Sequence, residues 1–585
     1  MIRLSGSKGK ESGDSPQTPG AGIGLWLDVR SLWEVLLCIL VCVCFAAVPV
    51  PDINESHYLT KARHFWNGDT CPQDIFLQST DAQWVYFFAT GWVAKFVSIG
   101  TFAWIGRAVS WVLLSASVVF VARQVRVSGI RIPVVLAMML VLVRTGNLAG
   151  EWIVGGFEAK TIAWPLILFA TGFAMRGRWS LVWCLCGAAA AFHFVLGWWA
   201  IVCLAICRLY LWSREKSFRP PGTLWSVVST WIAELILGGP PGSATFRSLL
   251  SVLTITMAGL IGGALPMLLD GSGVSNSDSV VAARIQVFQR LPHHLYFGDF
   301  AASRVASFGI LMMVWSFLYC RMTLVAPLRM IGTLALVTTG LNVCGLVLSG
   351  IAEGSGNSAE LATSLLRLYW FRMADVMVPL SVALMCGHLL ESWRVRTGRV
   401  HARISLAVTG LLLVATGLEG VGKISAVIPP ADAVGIAGSE PDAKRAEETV
   451  RNWQRVCEWC RNNTPGDALF LTPFGQQTFN WYSNRAEWFC WKHAPQDAAG
   501  LIEWNRRREL VLALQNRFGP EIVGWPAGVL TWLLEQEHLD FVIVPQRELD
   551  RWGVLKGMTL VYPASSSLKT TWCVLKSLPA GSSDD

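Results

Sequence analysis

The sequence predicts an all-α polytopic membrane bundle of about eleven transmembrane helices, followed by a small extracytoplasmic α/β domain. Three observations carry this. Only 15% of the 585 residues are charged and 53% are hydrophobic, with a mean hydropathy of +0.45, whereas soluble domains average about a quarter charged. Apolar stretches recur up to about Gly420 with Arg and Lys at their ends. Beyond Gly420 the chain turns polar and Trp-rich. The net charge of +8 needs no nucleic acid to explain it, because much of the Arg and Lys flanks apolar segments and sets orientation there.

The elements follow in order. Residues 1–30, opening "MIRLSGSKGKESGDSPQTPGAG", read as a disordered cytoplasmic tail without a cleavable signal. Residues 31–425 hold the candidate spans Leu32–Val50, Trp84–Ile99, Trp104–Val121, Ile132–Val143, Ile162–Ala174, Leu181–Phe194, Gly197–Leu211, Leu249–Leu269, Val305–Tyr319, Met330–Leu348, Leu368–Leu390 and Ile404–Leu418. Several are shorter than the ~20 residues a crossing needs, so tilted, broken or re-entrant segments are expected. Residues 426–449 read as a linker. In residues 450–585, "ALFLTP", "DFVIVP", "LVYP" and "WCVLKS" alternate with helical stretches as short strands. The many Cys inside the spans behave as small apolar residues.

Basic loops ("RQVRVSGIR", "RGR", "RLYLWSREKSFR", "YCRM", "RVRTGRVHAR") predict a cytoplasmic N-terminus. The acidic or mixed stretches from Asp52, Glu151, Asp270 and Glu353, and the C-terminal domain, then lie outside. One conflict arises. Two apolar segments separate external Gln83 from internal Arg123, where only one crossing is allowed. Either one segment does not span, or the Arg-rich loops at Arg123–Arg131 and Arg176–Arg178 are external. Charge favours the first.

This topology gathers ionisable residues on the outer side: Asp52 and Glu55 in "PDINESHY", Glu158 and Lys160, His193, His293 and His294, Arg367, Arg372 and Asp375. Such groups at a bilayer usually pair with one another or line a polar cavity. Each also has a plainer reading. Asp52 and Glu55 can cap a helix. Glu158 and Lys160 can be an interfacial pair, and His193 a hydrogen-bonded core residue. His293 and His294 diverge if helical, which suits one binding and one structural ring better than two ligands. Arg367 and Arg372 stand about 140° apart on a helix, whereas Arg372 and Asp375 can neutralise each other. Cys457 and Cys460 form a CxxC without a second pair at zinc spacing; a structural role suits them better than a disulfide. No Walker motif, GxGxxG after a strand, HExxH or GxSxG stands in a suitable place, which argues against an ATPase, a nicotinamide enzyme, a zincin and a serine hydrolase.

"PDINESHYLTKARHFWNGD", an acid just past the first span followed by Tyr58 and Ala62, resembles the first external loop of GT-C glycosyltransferases. "FFATGWVAKFVSIGTFAWIGRAVSWVL", with Arg107, looks like the hairpin after it. The whole chain also resembles an uncharacterised group of bacterial, notably planctomycete, polytopic proteins, through "GGFEAKTIAWPL", "AFHFVLGWWA", "RLPHHL", "RLYWFRMADVMVPL" and "WYSNRAEWFCWKHAPQDAAGLIEWNRR". The GT-C resemblance implies sugar transfer, with inversion, from a polyprenyl-phosphate donor to an extracytoplasmic glycan, lipid or protein acceptor. The acids here are split instead of adjacent, and no Lys-Pro-Pro-Leu-like stretch precedes the second span, so the metal and donor type stay open.

The chemistry that transfer needs has candidates. Asp52 or Glu55 would serve as base, with Glu158 as a further catalytic candidate. Lys160, His293, His294, Arg367 and Arg372 would hold the phosphate, and Tyr58 and His193 are further substrate-binding candidates. A divalent cation (Mg or Mn) has Asp52, Glu55, Glu158 and His294 as candidate ligands. The Trp-rich stretch "WYSNRAEWFCWKH" would stack on a sugar or sit at the membrane interface. The rival readings are a transporter or flippase with a broken-helix cavity at Gly155–Gly156 and His193–Gly197, and a non-catalytic scaffold of GT-C shape.

Overall fold

The structure, a computed structural model, describes residues 29–68, 70–215, 236–237, 245–270, 274–396, 399–435, 443–520, 522–553, 557–563 and 571–577. The expected tail at 1–28 and the basic stretch after Glu215 lie outside the described residues.

The chain is mostly helical. It runs through α1 (Val29–Ala46), α2 (Glu55–Trp66), α3 (Trp84–Thr90), α4 (Ile99–Gln124), α5 (Arg131–Thr145), α6 (Ala159–Met175), α7 (Trp179–Phe192) and α8 (Phe194–Glu215), then long helices at Thr245–Asp270, Ala302–Arg321, Ala326–Ala352, Arg372–Arg396 and Arg399–Ile424. Among the described residues, seven helices are long and apolar enough to cross a membrane: α4, α8 and these last five. α1, α6 and α7 are apolar but shorter. Large apolar side chains stay outside the bundle, among them Leu269 (67% exposed), Met313 (65%) and Leu411 (70%). A belt of this kind is rare on soluble monomers and is compatible with hydrocarbon, where helices satisfy their own backbone.

Trp84–Ile99 does not form a span. It folds as the seven-residue α3 and a 3-10 turn at Gly91–Lys95, and seven residues rise only about 10 Å against a hydrocarbon core of about 30 Å. One long apolar helix, α4, therefore lies between Gln83 and Arg123, which fits the option that charge favours.

Inside the bundle, small residues let helices close on one another. A Cβ on Gly197 would lie 2.2 Å from the Ala190 nitrogen, so α8 can fold straight back on α7 after His193. Gly259 and Gly263 rest on Gly187 and Ala190 in the same way, the small-xxx-small contact of membrane helices.

The C-terminal region builds one sheet, ordered β2-β1-β3-β5-β4, from β1 (Leu469–Leu471), β2 (Ala486–Glu487), β3 (Phe541–Pro545), β4 (Met558–Tyr562) and β5 (Trp572–Ser577). β1 is parallel to β2 and β3, and β5 is antiparallel to β3 and β4. The expected linker contributes to this domain: Val434 sits in its core and the helix Ala443–Asn463 starts inside the 426–449 stretch. Cys457 and Cys460 are buried and free in that core. The Trp-rich stretch is core rather than a platform for a sugar. Trp488 is fully buried, with Nε1 donating to Glu537 Oε2 at 2.8 Å, and Trp481 packs beside α2 residues.

The domain docks on the loop between α2 and α3. Phe76 and Leu77 share a core with Trp488, Leu501 and, from the stretch before His293, Ala282 and Ile285. Asp74 Oδ2 accepts from Asn480 Nδ2 at 2.8 Å and from the Glu487 N–H at 3.1 Å. Lys61, one turn beyond Tyr58, is used here: its ammonium donates to the carbonyls of Phe76 (2.8 Å) and Leu77 (2.9 Å).

Candidate functional site

The loop 47–54 leaves α1 and turns at once into α2. Glu55, the first residue of α2, is fully buried. Its Oε1 accepts from Arg107 Nε (2.7 Å) and the Phe157 N–H (2.8 Å), and its Oε2 from Arg107 Nη2 (2.6 Å) and the Asp52 N–H (2.8 Å). Arg107, from α4, also donates to the Val48 carbonyl. Glu55 is thus a bracket that ties α1's exit, α4 and the 146–158 loop together, with no oxygen left over for a proton or a metal. It is a positioning residue.

Asp52 is different. It is half-buried, its carboxylate is bonded only to backbone N–H groups of Ile53 (2.8 Å) and Gly156, and it has no ion-pair partner among the described residues. Burial pushes its carboxyl above the usual range, with Arg107 pulling the other way. Gly155 and Gly156 make this contact possible: a Cβ on Gly156 would lie 2.6 Å from Glu55 Cγ and 2.9 Å from Asp52 Cβ.

Around Asp52 the structure gathers many of the other candidates. Glu158 caps α6; its Oε2 accepts from Asn54 Nδ2 at 3.1 Å and its Oε1 lies 3.5 Å from Lys160 Nζ. Lys160 also stands 3.3 Å from Glu151 Oε1 and 4.1 Å over the Trp152 ring. Glu151, passed over as a site residue in the sequence, is central: it is buried, accepts from Trp164 Nε1 (3.2 Å) and pairs with Arg372 Nε (3.1 Å). Arg372 lies 3.7 Å over Tyr369, whose φ of +55° is uncommon for an aromatic residue. Such backbone strain clusters at functional sites. The expected Arg372–Asp375 neutralisation does not occur. Asp375 accepts instead from the N–H groups of Leu148 (2.7 Å), Ala149 (2.9 Å) and Glu151 (3.4 Å), bracing the loop from below.

His193, at the α7–α8 break, feels the charges of Arg372, Glu151 and Lys160, and its Nδ1 has no hydrogen-bond partner among the described residues. His294 Nδ1 bonds the Ala149 carbonyl, and burial with Arg372 nearby pushes its pKa down, so the ring is neutral. The His293 ring lies tilted beside it, centroids 4.1 Å apart, and is more open. Tyr58 faces Glu158, Arg372 and Glu151, and its phenol is pushed well up by burial and then by Glu158. Arg367 is turned away and donates to Gln286 Oε1 at 2.8 Å.

Two cations escaped the sequence reading. Arg290 donates to the Lys492 carbonyl at 3.0 Å. Lys492, reaching in from the C-terminal domain, feels Arg290, Glu158 and Lys160, and burial lowers its pKa to about 8. No motif marks either one; the domain docking brings them there. The metal candidates do not converge: Glu55 is saturated, Glu158 Oε1 faces Lys160, and His294 is bonded to Ala149. The group is a cluster of cations and carboxylates with Asp52 beside it on the 155–156 loop, and Asp52 has no ion-pair partner among the described residues.

No curated protein matches the chain. Residues 451–511 match a domain family of unknown function, DUF6798, a stretch that contains β1, β2, Lys492 and most of the helix Ala498–Phe518.

Proposed function

We propose that the chain is a membrane glycosyltransferase that moves a sugar, with inversion, from a polyprenyl-phosphate donor to an extracytoplasmic acceptor. The observation that carries this is the contrast between Asp52 and its neighbours. Glu55, Glu151 and Glu158 each contact a cation and Asp375 is fully buried under three backbone N–H groups, whereas Asp52 is half-buried, meets only the N–H groups of Ile53 and Gly156, and has no ion-pair partner among the described residues. In this reading Asp52 accepts the proton of the acceptor hydroxyl as its oxygen attacks the anomeric carbon. The bond from that carbon to the phosphate oxygen breaks, and polyprenyl phosphate leaves with the added negative charge. Lys160, Arg372, Arg290 and Lys492 outweigh the carboxylates they touch and stabilise that charge. The reading includes eleven crossings, a cytoplasmic N-terminus and an outer C-terminal domain in a bacterial plasma membrane.

The test is release of polyprenyl phosphate from a panel of polyprenyl-phosphate sugars by the purified protein in lipid nanodiscs. The break at His193 favours a second reading, a transporter or flippase. In proteoliposomes that reading predicts movement of an intact lipid-linked substrate across the bilayer with no cleavage of the sugar–phosphate bond.

A further inference from the structure

We propose that Glu487, Cys490 and His493 form a zinc site that fixes the loop carrying Lys492. The three side chains are all buried, and one carboxylate oxygen, the Sγ and one ring nitrogen lie within 4.8 Å of one another. Zinc holds O, N and S ligands tetrahedrally at about 2.0–2.3 Å, which sets neighbouring ligand atoms about 3.3–3.8 Å apart, so side-chain adjustments alone would close this cluster on an ion. A thiolate, imidazole and carboxylate set suits zinc and does not suit magnesium or calcium.

One further feature points to a ligand. The Glu487 carboxylate is held from behind: Oε2 accepts from Gln476 Nε2 and, at 3.5 Å, from Thr472 Oγ1, while the Glu487 N–H is anchored on Asp74. Outer partners of this kind orient metal ligands. The plainer alternative is a hydrogen-bonded cluster. Its bonds exist: His493 Nδ1 to Glu487 Oε1 at 2.7 Å and Cys490 Sγ to the Gln476 carbonyl at 3.6 Å. With zinc bound through Nδ1, nitrogen and oxygen would part to about 3.3 Å. Cys490 and His493 flank Lys492 in sequence, so the ion would clamp both sides of the residue that reaches Glu158.

The full chain, purified in detergent, loaded with equimolar zinc and passed over a weak chelator, should retain about one zinc per chain by mass spectrometry. Loaded with cobalt it should show a thiolate-to-cobalt charge-transfer band. Cys490→Ser should abolish that band and, with His493→Ala, weaken zinc retention about tenfold or more, while Cys457→Ser, a buried thiol outside the cluster, changes neither. Wild-type protein that retains no zinc and shows no band overturns the proposal, as do variants that retain zinc like wild type. Should the variants fail to fold, X-ray absorption at the zinc edge of loaded wild type decides: a sulfur neighbour at about 2.3 Å is required, and its absence overturns the site.

Discussion

Glu55→Gln is predicted to damage the fold itself. The carboxylate is fully buried and receives two hydrogen bonds from Arg107 and one each from the Phe157 and Asp52 N–H groups, all between 2.6 and 2.8 Å. An amide keeps one accepting oxygen and turns an NH2 toward groups that are themselves donors. It also leaves the Arg107 guanidinium, 0% exposed, without its counter-charge. Removing one partner of a buried ion pair costs about 3–5 kcal/mol, a large share of a stability of about 5–15 kcal/mol. Arg107→Met should cost a similar amount. The double variant Glu55→Leu/Arg107→Met should lose less than the sum of the singles, by about 2–3 kcal/mol, because the two side chains share one network. Equilibrium unfolding of the detergent-solubilised protein in mixed SDS micelles, run as a double-mutant cycle, measures this. A Glu55→Gln protein within about 1 kcal/mol of wild type, or strictly additive singles, would refute the bracket and return Glu55 to the list of candidate bases.

Other outcomes follow from the same geometry. Gly156→Ala should cost about 1–3 kcal/mol by the same assay, because its Cβ would lie 2.6 Å from Glu55 Cγ; a neutral result would mean the loop moves freely. Transfer activity should be bell-shaped in pH. It rises as Asp52, held above the usual carboxyl range, loses its proton, and falls through about 8 as Lys492 loses its charge. Lys492→Arg should shift only the alkaline fall upward, and a profile unchanged by that substitution would remove Lys492 from the pocket. Cys457 and Cys460 should both react with a maleimide under denaturing, non-reducing conditions, since both are free thiols in an apolar core; resistance until a reductant is added would reveal a disulfide.

Much of the scaffold is legible in the sequence because its signals are local. Apolar runs mark the long helices, and "ALFLTP", "DFVIVP", "LVYP" and "WCVLKS" land on β1, β3, β4 and β5. Loop charge anticipates that one of the two apolar segments between Gln83 and Arg123 is not a span, and the structure shows that it is Trp84–Ile99. Only β2 is too short, at two residues, to leave a pattern. The site is legible to the extent that position along the chain reports depth: Asp52, Glu55, Glu158, Lys160, His193, His294 and Arg372 meet, though nothing local could say that Glu55 is spent on Arg107 while Asp52 is open. That division depends on contacts 52 and 102 residues apart. Arg372 and Asp375, three apart on a helix, look like a pair, but each finds a stronger partner across the bundle in Glu151 or in backbone amides. Lys492, Arg290 and Glu151 were hidden because domain docking and loop folding bring them in. The Trp-rich stretch misled in the opposite sense: its rings have the composition of a sugar platform and the burial of a core.

The central claim, that Asp52 is the base, is tested most directly by comparing Asp52→Asn with wild type for single-turnover transfer from a polyprenyl-phosphate sugar. The amide can keep the backbone contacts to Ile53 or Gly156 through its oxygen, and Asp52 is only half-buried, so folding should change little. The account predicts a rate lower by about 10²–10⁴, or about 3–5 kcal/mol of barrier, with unchanged expression and unfolding midpoint. An Asp52→Asn protein that transfers sugar at close to the wild-type rate would contradict it.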